Sequence, residues 1–168
     1  MDFRILDASA FYAGIPFGSS SDCYTTTIVY NEIKHIKKNH EVLETLLETN
    51  RLKIKDPDEE STKAAIRASK DTGDYQQLTK QDLSIIALGI GLKGQIITDD
   101  FAISNVAKNL GLKISPIMTL GIKDVGKWIH YCPGCRSNHK SGTECPKCGT
   151  LLKRKLLKGK VSTVPLNE

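Results

Sequence analysis

Aromatic residues are scarce in this 168-residue chain, at 6% of the sequence with one tryptophan, Trp128. That scarcity argues against a surface built on base stacking, which needs a series of exposed rings. Long apolar runs are missing too. No stretch approaches the length that crosses a bilayer, and the opening Met1-Asp2-Phe3-Arg4 runs into Ile5-Leu6-Asp7 without the pattern of a secretory signal. A protein with no membrane partner is expected. There is no Walker A sequence, and Gly89-Ile-Gly91-Leu-Lys-Gly94 only imitates the dinucleotide fingerprint. That fingerprint has a strand before its glycines and a helix after them. Here the helix comes first, so the glycines read as helix-ending signals. Internal repeats and low-complexity tracts are also lacking.

Cysteine is limited to five residues, and four of them fall in two pairs, Cys132-Pro-Gly-Cys135 and Cys145-Pro-Lys-Cys148, with nine residues between. Four thiolates in two C-x-x-C knuckles can supply the tetrahedral ligands of one structural Zn²⁺. Pro133, Gly134, Pro146 and Gly149 suit tight knuckles whose amides turn toward sulfur. One pair alone would fit a redox dithiol; two in so short a span read as a compact zinc ribbon. The fifth, Cys23, reads as a buried inert thiol, and together with a zinc site it points to a reducing cytoplasm.

Charge is unevenly placed. Residues 1–127 carry 16 basic residues against 17 acids, whereas residues 128–160 carry eight basic residues against Glu144 alone. Those eight are Arg136, Lys140, Lys147, Lys153, Arg154, Lys155, Lys158 and Lys160. A basic module beside a near-neutral domain is expected to meet nucleic acid through phosphate contacts; the alternative is a solubilising basic tail. The expected division is a domain over 1–115, a linker over 116–127, the ribbon with its basic extension over 128–160, and a disordered tail over 161–168.

Short apolar strands alternate with helical patterns through the first domain. Strands are expected at 3–7, 23–27, 52–55, 95–98 and 113–115, with a Gly- and Ser-rich loop at 14–22. Helices are expected at 8–13, 28–38, 42–49, 58–69, 83–92 and 101–110, the fifth opened by a capping-box variant, Thr79-Lys-Gln-Asp82. This order implies an α/β fold of three layers around a mainly parallel sheet. In such a sheet the functional groups gather at the carboxyl ends of the strands. Asp7 ends the first strand and Asp99-Asp100 follow the fourth. Asp82 sits in the first turn of its helix and Glu32 lies among apolar neighbours in another. Carboxylates brought to one edge would repel each other unless a divalent cation neutralised them, and oxygen ligands favour Mg²⁺ or Mn²⁺. Each acid alone could equally be a helix cap or a solvated side chain.

Ile5-Leu6-Asp7-Ala-Ser-Ala10, Thr25-Thr26 with Val29 and Glu32, Leu78-Thr-Lys-Gln-Asp82 before Ile85-Ile86-Ala87-Leu88, and Ile97-Thr98-Asp99-Asp100-Phe101 together resemble the PIN-domain nucleases over residues 3–115. A PIN-like domain followed by a four-cysteine ribbon and a basic tail is similar to the archaeal relatives of the endonuclease that matures the 3′ end of small-subunit ribosomal RNA. The resemblance implies an acidic metal cluster of Asp7, Glu32, Asp82 and one or both of Asp99 and Asp100. Asp100 would be the direct ligand, and Ser9 and Thr98 supporting hydroxyls. It also implies hydrolysis that leaves 5′-phosphate and 3′-hydroxyl ends, on precursor small-subunit rRNA within pre-ribosomal particles. Gln81 departs from the small residue common at that position. Two rivals stand beside this reading: a PIN-type ribonuclease toxin, and a non-catalytic RNA-binding assembly factor with structural acids. His130 and His139 would contact RNA or lie on the surface, and His35 and His40 are expected to be solvated.

Overall fold

The computed structural model describes residues 3–18, 20–35, 40–119, 121–122 and 124–159. Lys160, the tail at 161–168 and the end of the expected helix at 36–38 lie outside the described residues. Five parallel strands, β1 (Arg4–Leu6), β2 (Cys23–Thr25), β3 (Leu52–Ile54), β4 (Gln95–Ile97) and β5 (Ile114–Ser115), form a sheet in the order β3-β2-β1-β4-β5. Among the described residues, seven α-helices complete three layers: α1 (Ala8–Tyr12), α2 (Ile15–Gly18), α3 (Thr27–Ile33), α4 (His40–Glu48), α5 (Glu59–Thr72), α6 (Lys80–Leu92) and α7 (Phe101–Asn109). A strand as short as β1 is stable here because both faces are covered. Ile5 and Leu6 have no exposed surface, and burying such a side chain contributes about 1.5–3 kcal/mol.

Helix α6 is the apolar mast of the domain. Ile85, Ile86, Ala87 and Leu88 are buried in succession, so it lacks a solvent face along that turn. Its start is a complete capping box, with Thr79 accepting from the Asp82 amide and Asp82 accepting from the Thr79 amide. Its end differs from expectation: the left-handed residue is Lys93 (φ 51°), not a glycine. Gly94 serves close packing instead, since a Cβ there would stand 2.8 Å from both Ile5 Cδ1 and the Phe3 carbonyl. Two other details depart from the sequence reading. Helix α3 stops at Ile33 with Lys34 as its cap, and the loop at 14–22 holds the short helix α2.

A second, antiparallel sheet is built from β6 (Gly126–Tyr131), β7 (Asn138–His139) and β8 (Lys153–Lys158) in the order β7-β6-β8. The connector stretch therefore turns into strand at Gly126, ahead of Trp128. A buried polar junction ties β6 to the first domain. Asn105 Nδ2 donates to Asp74 Oδ2 (2.7 Å) and to the Gly126 carbonyl (2.9 Å), while its Oδ1 accepts from the Gly126 amide (2.8 Å). Trp128 Nε1 donates to Asp74 Oδ1 at 2.9 Å. Asp74 and Asn105 have no exposed surface, so every one of these bonds is needed. Gly73, which ends α5 at φ 78°, completes the fit, because a Cβ there would lie 2.8 Å from the Trp128 carbonyl.

Candidate metal centres

Sheet order reverses between β1 and β4, and the loops leaving those two strands part to open a cleft. Asp7 follows β1 and caps α1. Its Oδ1 accepts from the Ala10 amide (3.0 Å) and the Ser9 hydroxyl (2.7 Å), and its Oδ2 accepts a short bond from the Thr98 hydroxyl at the end of β4. The carboxylate is almost fully buried, and that burial raises its pKa above the ordinary value; the Thr98, Ser9 and Ala10 donors pull it back, while the nearby negative charge of Asp100 raises it further. Asp100 caps α7, with Oδ1 accepting from the Ile103 amide at 2.8 Å.

Asp7, Glu32, Asp82 and Asp100 line one cavity of about 460 Å³, together with Ser9, Thr79 and Gln81. None of its described lining residues is a lysine or arginine. Four carboxylates with no cation among them fit hard divalent ions by donor chemistry. At about 30 Å³ per water, the space also admits much of an ion's hydration shell, as Mg²⁺ prefers. Asp82 fills two positions at once, since it caps α6 and borders the cavity.

Asp99 does not join this group. Its side chain accepts from the amides of Ile117, Met118 and Thr119 and from the Thr119 hydroxyl, bracing the segment after β5. Desolvation pushes its pKa up, but the three amides and the hydroxyl together outweigh that and hold it below the ordinary value. Ser84 and Asp56, absent from the sequence reading, help position the acids together with Thr26, which that reading named only within the family resemblance. Thr26 caps α3 and shares a 2.8 Å bond with Ser84 of α6, fastening the helix of Glu32 to that of Asp82. Asp56 accepts from the Thr27 amide and hydroxyl at 2.8 and 2.7 Å. The Thr26 cap carried the usual signal, a threonine between strand and helix; the long-range partners carried none.

The second centre lies in the ribbon. The Sγ atoms of Cys132, Cys135, Cys145 and Cys148 all lie within 4.8 Å of one another, the only such group of three or more metal-ligating side chains among the described residues. Contacts across the knuckles are 3.4 Å for Cys132–Cys148 and 3.5 Å for Cys135–Cys145. A tetrahedron with Zn–S of about 2.3 Å has edges near 3.8 Å, so the set fits Zn²⁺. The two knuckles repeat one geometry. Arg136 and Gly149 follow them in left-handed conformation (φ 62° and 72°), and their amides donate back to the Cys132 and Cys145 carbonyls at 2.9 and 2.8 Å. Without a cation the thiols diverge. Burial resists ionisation of Cys145, but the Ser137 hydroxyl and the Lys147 and Cys148 amides bring it down to about 5. At Cys132 the Cys135 amide pulls downward, yet burial and the neighbouring sulfurs push it up to about 11. His139 Nε2 stands 3.6 Å from Cys145 Sγ and 2.7 Å from Ser137 Oγ, beside the sulfurs and outside the converging set.

The basic residues separate by direction. Lys140 and Arg154 border the cleft between ribbon and first domain, with the Arg154 guanidinium 4.7 Å over the Trp128 ring. Lys155 stacks over Tyr131 and Lys158 pairs with Asp124 at 2.8 Å. Arg136, Lys147 and Lys153 stand on exposed or partly exposed surface.

Comparison with known proteins finds similarity to ribonucleases over most of the chain. The family described as "PIN domain of ribonuclease" matches residues 5–92. Endoribonuclease Nob1 of Methanothermobacter thermautotrophicus is 37% identical over 160 residues, covering 90% of this chain and 92% of that protein. Endoribonuclease Nob1 of Pyrococcus abyssi is 35% identical over 152 residues, covering 89% and 91%. Ribonuclease VapC1 of Thermoplasma acidophilum is 29% identical over 154 residues, covering 89% and 76%.

Proposed function

This chain belongs to the PIN-domain ribonucleases, and we propose that it is a divalent-metal-dependent endoribonuclease that cuts precursor small-subunit rRNA at or near its 3′ end, within pre-ribosomal particles in the cytoplasm. The observation that carries the reading is the single cavity that Asp7, Glu32, Asp82 and Asp100 all line, with no lysine or arginine among its described lining residues. Mn²⁺ or Mg²⁺ held by these acids would supply Lewis acidity at phosphorus and a water of lowered pKa.

The protein's own residues do the rest. Ser9 and Thr98 donate to Asp7, one to each carboxylate oxygen, which favours the charged form against the effect of burial and fixes the direction of both oxygens. Asp100 and Asp82 are held rigid because each also caps a helix. The Thr26–Ser84 bond sets the separation of Glu32 from Asp82. Substrate choice falls to the ribbon, whose basic surface meets RNA phosphates while Zn²⁺ on the four cysteines maintains its shape. Similarity to a VapC1 ribonuclease leaves the reaction class unchanged and moves the question to the substrate.

The test is cleavage of a precursor transcript spanning the small-subunit rRNA 3′ end. Cutting should require added Mn²⁺ or Mg²⁺ and vanish in Asp7→Asn, while that variant retains its melting temperature within a few degrees. Wild-type turnover by Asp7→Asn would overturn the assignment.

A further inference from the structure

We infer that an unpaired RNA strand reaches the carboxylate cavity along the junction between the two sheets, with bases stacking on Phe101 and Tyr75 and phosphates meeting Lys70, Arg154 and Lys140. This rests on the endoribonuclease reading above. Three hollows follow one another along that line. The carboxylate cavity shares Asp100 with a hollow of about 320 Å³ that Phe101, Trp128 and Arg154 help to line. That hollow in turn shares Trp128 and Arg154 with one of about 490 Å³, walled by Lys70, Tyr75 and Lys140.

Charge reverses along the series. The first cavity holds four carboxylates; the third holds three cations, Lys70, Lys140 and Arg154, and no carboxylate. A polyanion is therefore drawn to the far end and meets its divalent ions at the near end. The rings fall on the same line. Tyr12, Tyr75 and Phe101 are the exposed large aromatics among the described residues, and the last two border this path. Low aromatic content argued against a stacking surface, but composition counts rings and does not place them. Arg154 is also preorganised: its guanidinium lies on Trp128 and donates to the Gly73 carbonyl at 2.9 Å, so little side-chain entropy is left to lose on meeting a phosphate. The occupant is a single strand because paired bases cannot turn their faces to Tyr75 or Phe101.

Fluorescence anisotropy on the full chain tests this, using a labelled single-stranded RNA and the same RNA annealed to its complement, without added divalent cation so that the probe is not cut. Tyr75→Ala and Phe101→Ala should each weaken single-strand binding about five- to tenfold and leave duplex binding unchanged. Lys70→Ala should reduce the log–log salt slope by about 0.7. Two controls match the chemistry away from the groove: Tyr12→Ala, and Lys63→Ala on the same helix as Lys70, where Lys63 pairs with Glu59. Melting temperature and zinc content verify that each variant is folded. Effects equal to those of the controls, equal losses on single strand and duplex, or no RNA binding by the wild type would overturn the groove. Cleavage in Mn²⁺ is scored separately. A wild type that binds but never cuts sinks the nuclease reading alone. A wild type that cuts while the variants bind normally sinks the groove alone and leaves it to a protein.

Discussion

Replacing Asn105 with alanine should loosen the ribbon from the nuclease domain at a cost that can be worked out bond by bond. The amide makes three buried hydrogen bonds, to Asp74 Oδ2 and to both backbone groups of Gly126. Its loss leaves the Gly126 N–H, the Gly126 C=O and one Asp74 oxygen short of a partner, at about 1–3 kcal/mol for each buried group left unsatisfied. Alanine opens room for a water that recovers part of this, so a net loss of about 3 kcal/mol is expected. For a chain of this size that corresponds to about 6–12 °C in Tm. Trp128 is the sole tryptophan and donates to the same carboxylate, so its emission reports the junction directly. Thermal melts of the zinc-loaded protein should show the drop in Tm, together with a red-shifted Trp128 emission in the folded baseline. A drop under about 2 °C with unshifted emission would refute the reasoning, because the junction would then be ornament on two independently stable parts.

Other outcomes follow from the same structure. Burial, partly opposed by the Asn105, Thr72 and Trp128 donors, raises the pKa of Asp74. A carboxyl whose folded pKa lies above its unfolded value of 3.8 adds stability that is full below that value and is lost as pH rises through the folded one. The Tm advantage of wild type over Asp74→Ala should therefore grow as pH falls from 7 toward 4; an advantage that shrinks would contradict the shift. Cys145→Ser with Cys148→Ser should release the single zinc, measured by chelator colorimetry, and unfold the ribbon, since its few apolar residues cannot form a core unaided. A double variant that kept a full equivalent of zinc would remove the four-cysteine site.

Much of this was legible in the chain. Each strand of the parallel sheet falls within a short stretch that the sequence marks as strand, and the carboxyl-end rule drew attention to Asp7 and to the pair Asp99-Asp100 before any geometry was known. The adjacent pair Asp99-Asp100 could not be divided by pattern. What separates them is tertiary: the amides of residues 117–119 come back across the sheet to claim Asp99. Helix α2 was hidden because Gly14 precedes and Gly18 ends a four-residue segment whose Pro16 suits a first helical turn. Strands β6 and β8 were masked by lysines. Pairing of Trp128 with Leu156 and Tyr131 with Lys153 is visible only in the sheet, where basic side chains lie over rings on the facing strand. Asp74 gave no sign of its role, since nothing local distinguishes a buried junction carboxylate from a solvated one after a helix.

The position of β1 has a consequence for the order in which the molecule comes into being. β1 is the central strand of its sheet, and its neighbour on one side, β4, comes about ninety residues later in the chain, after most of the domain. A nascent chain that ends before Gln95 has β1 paired on one edge alone and lacks both Thr98, which orients Asp7, and Asp100, which faces it across the cavity. No fragment that ends before Asp100 holds the complete set of acids. The long-range β1–β4 pairing, which spans most of the domain's sequence, is therefore also the pairing that brings Thr98 and Asp100 to Asp7.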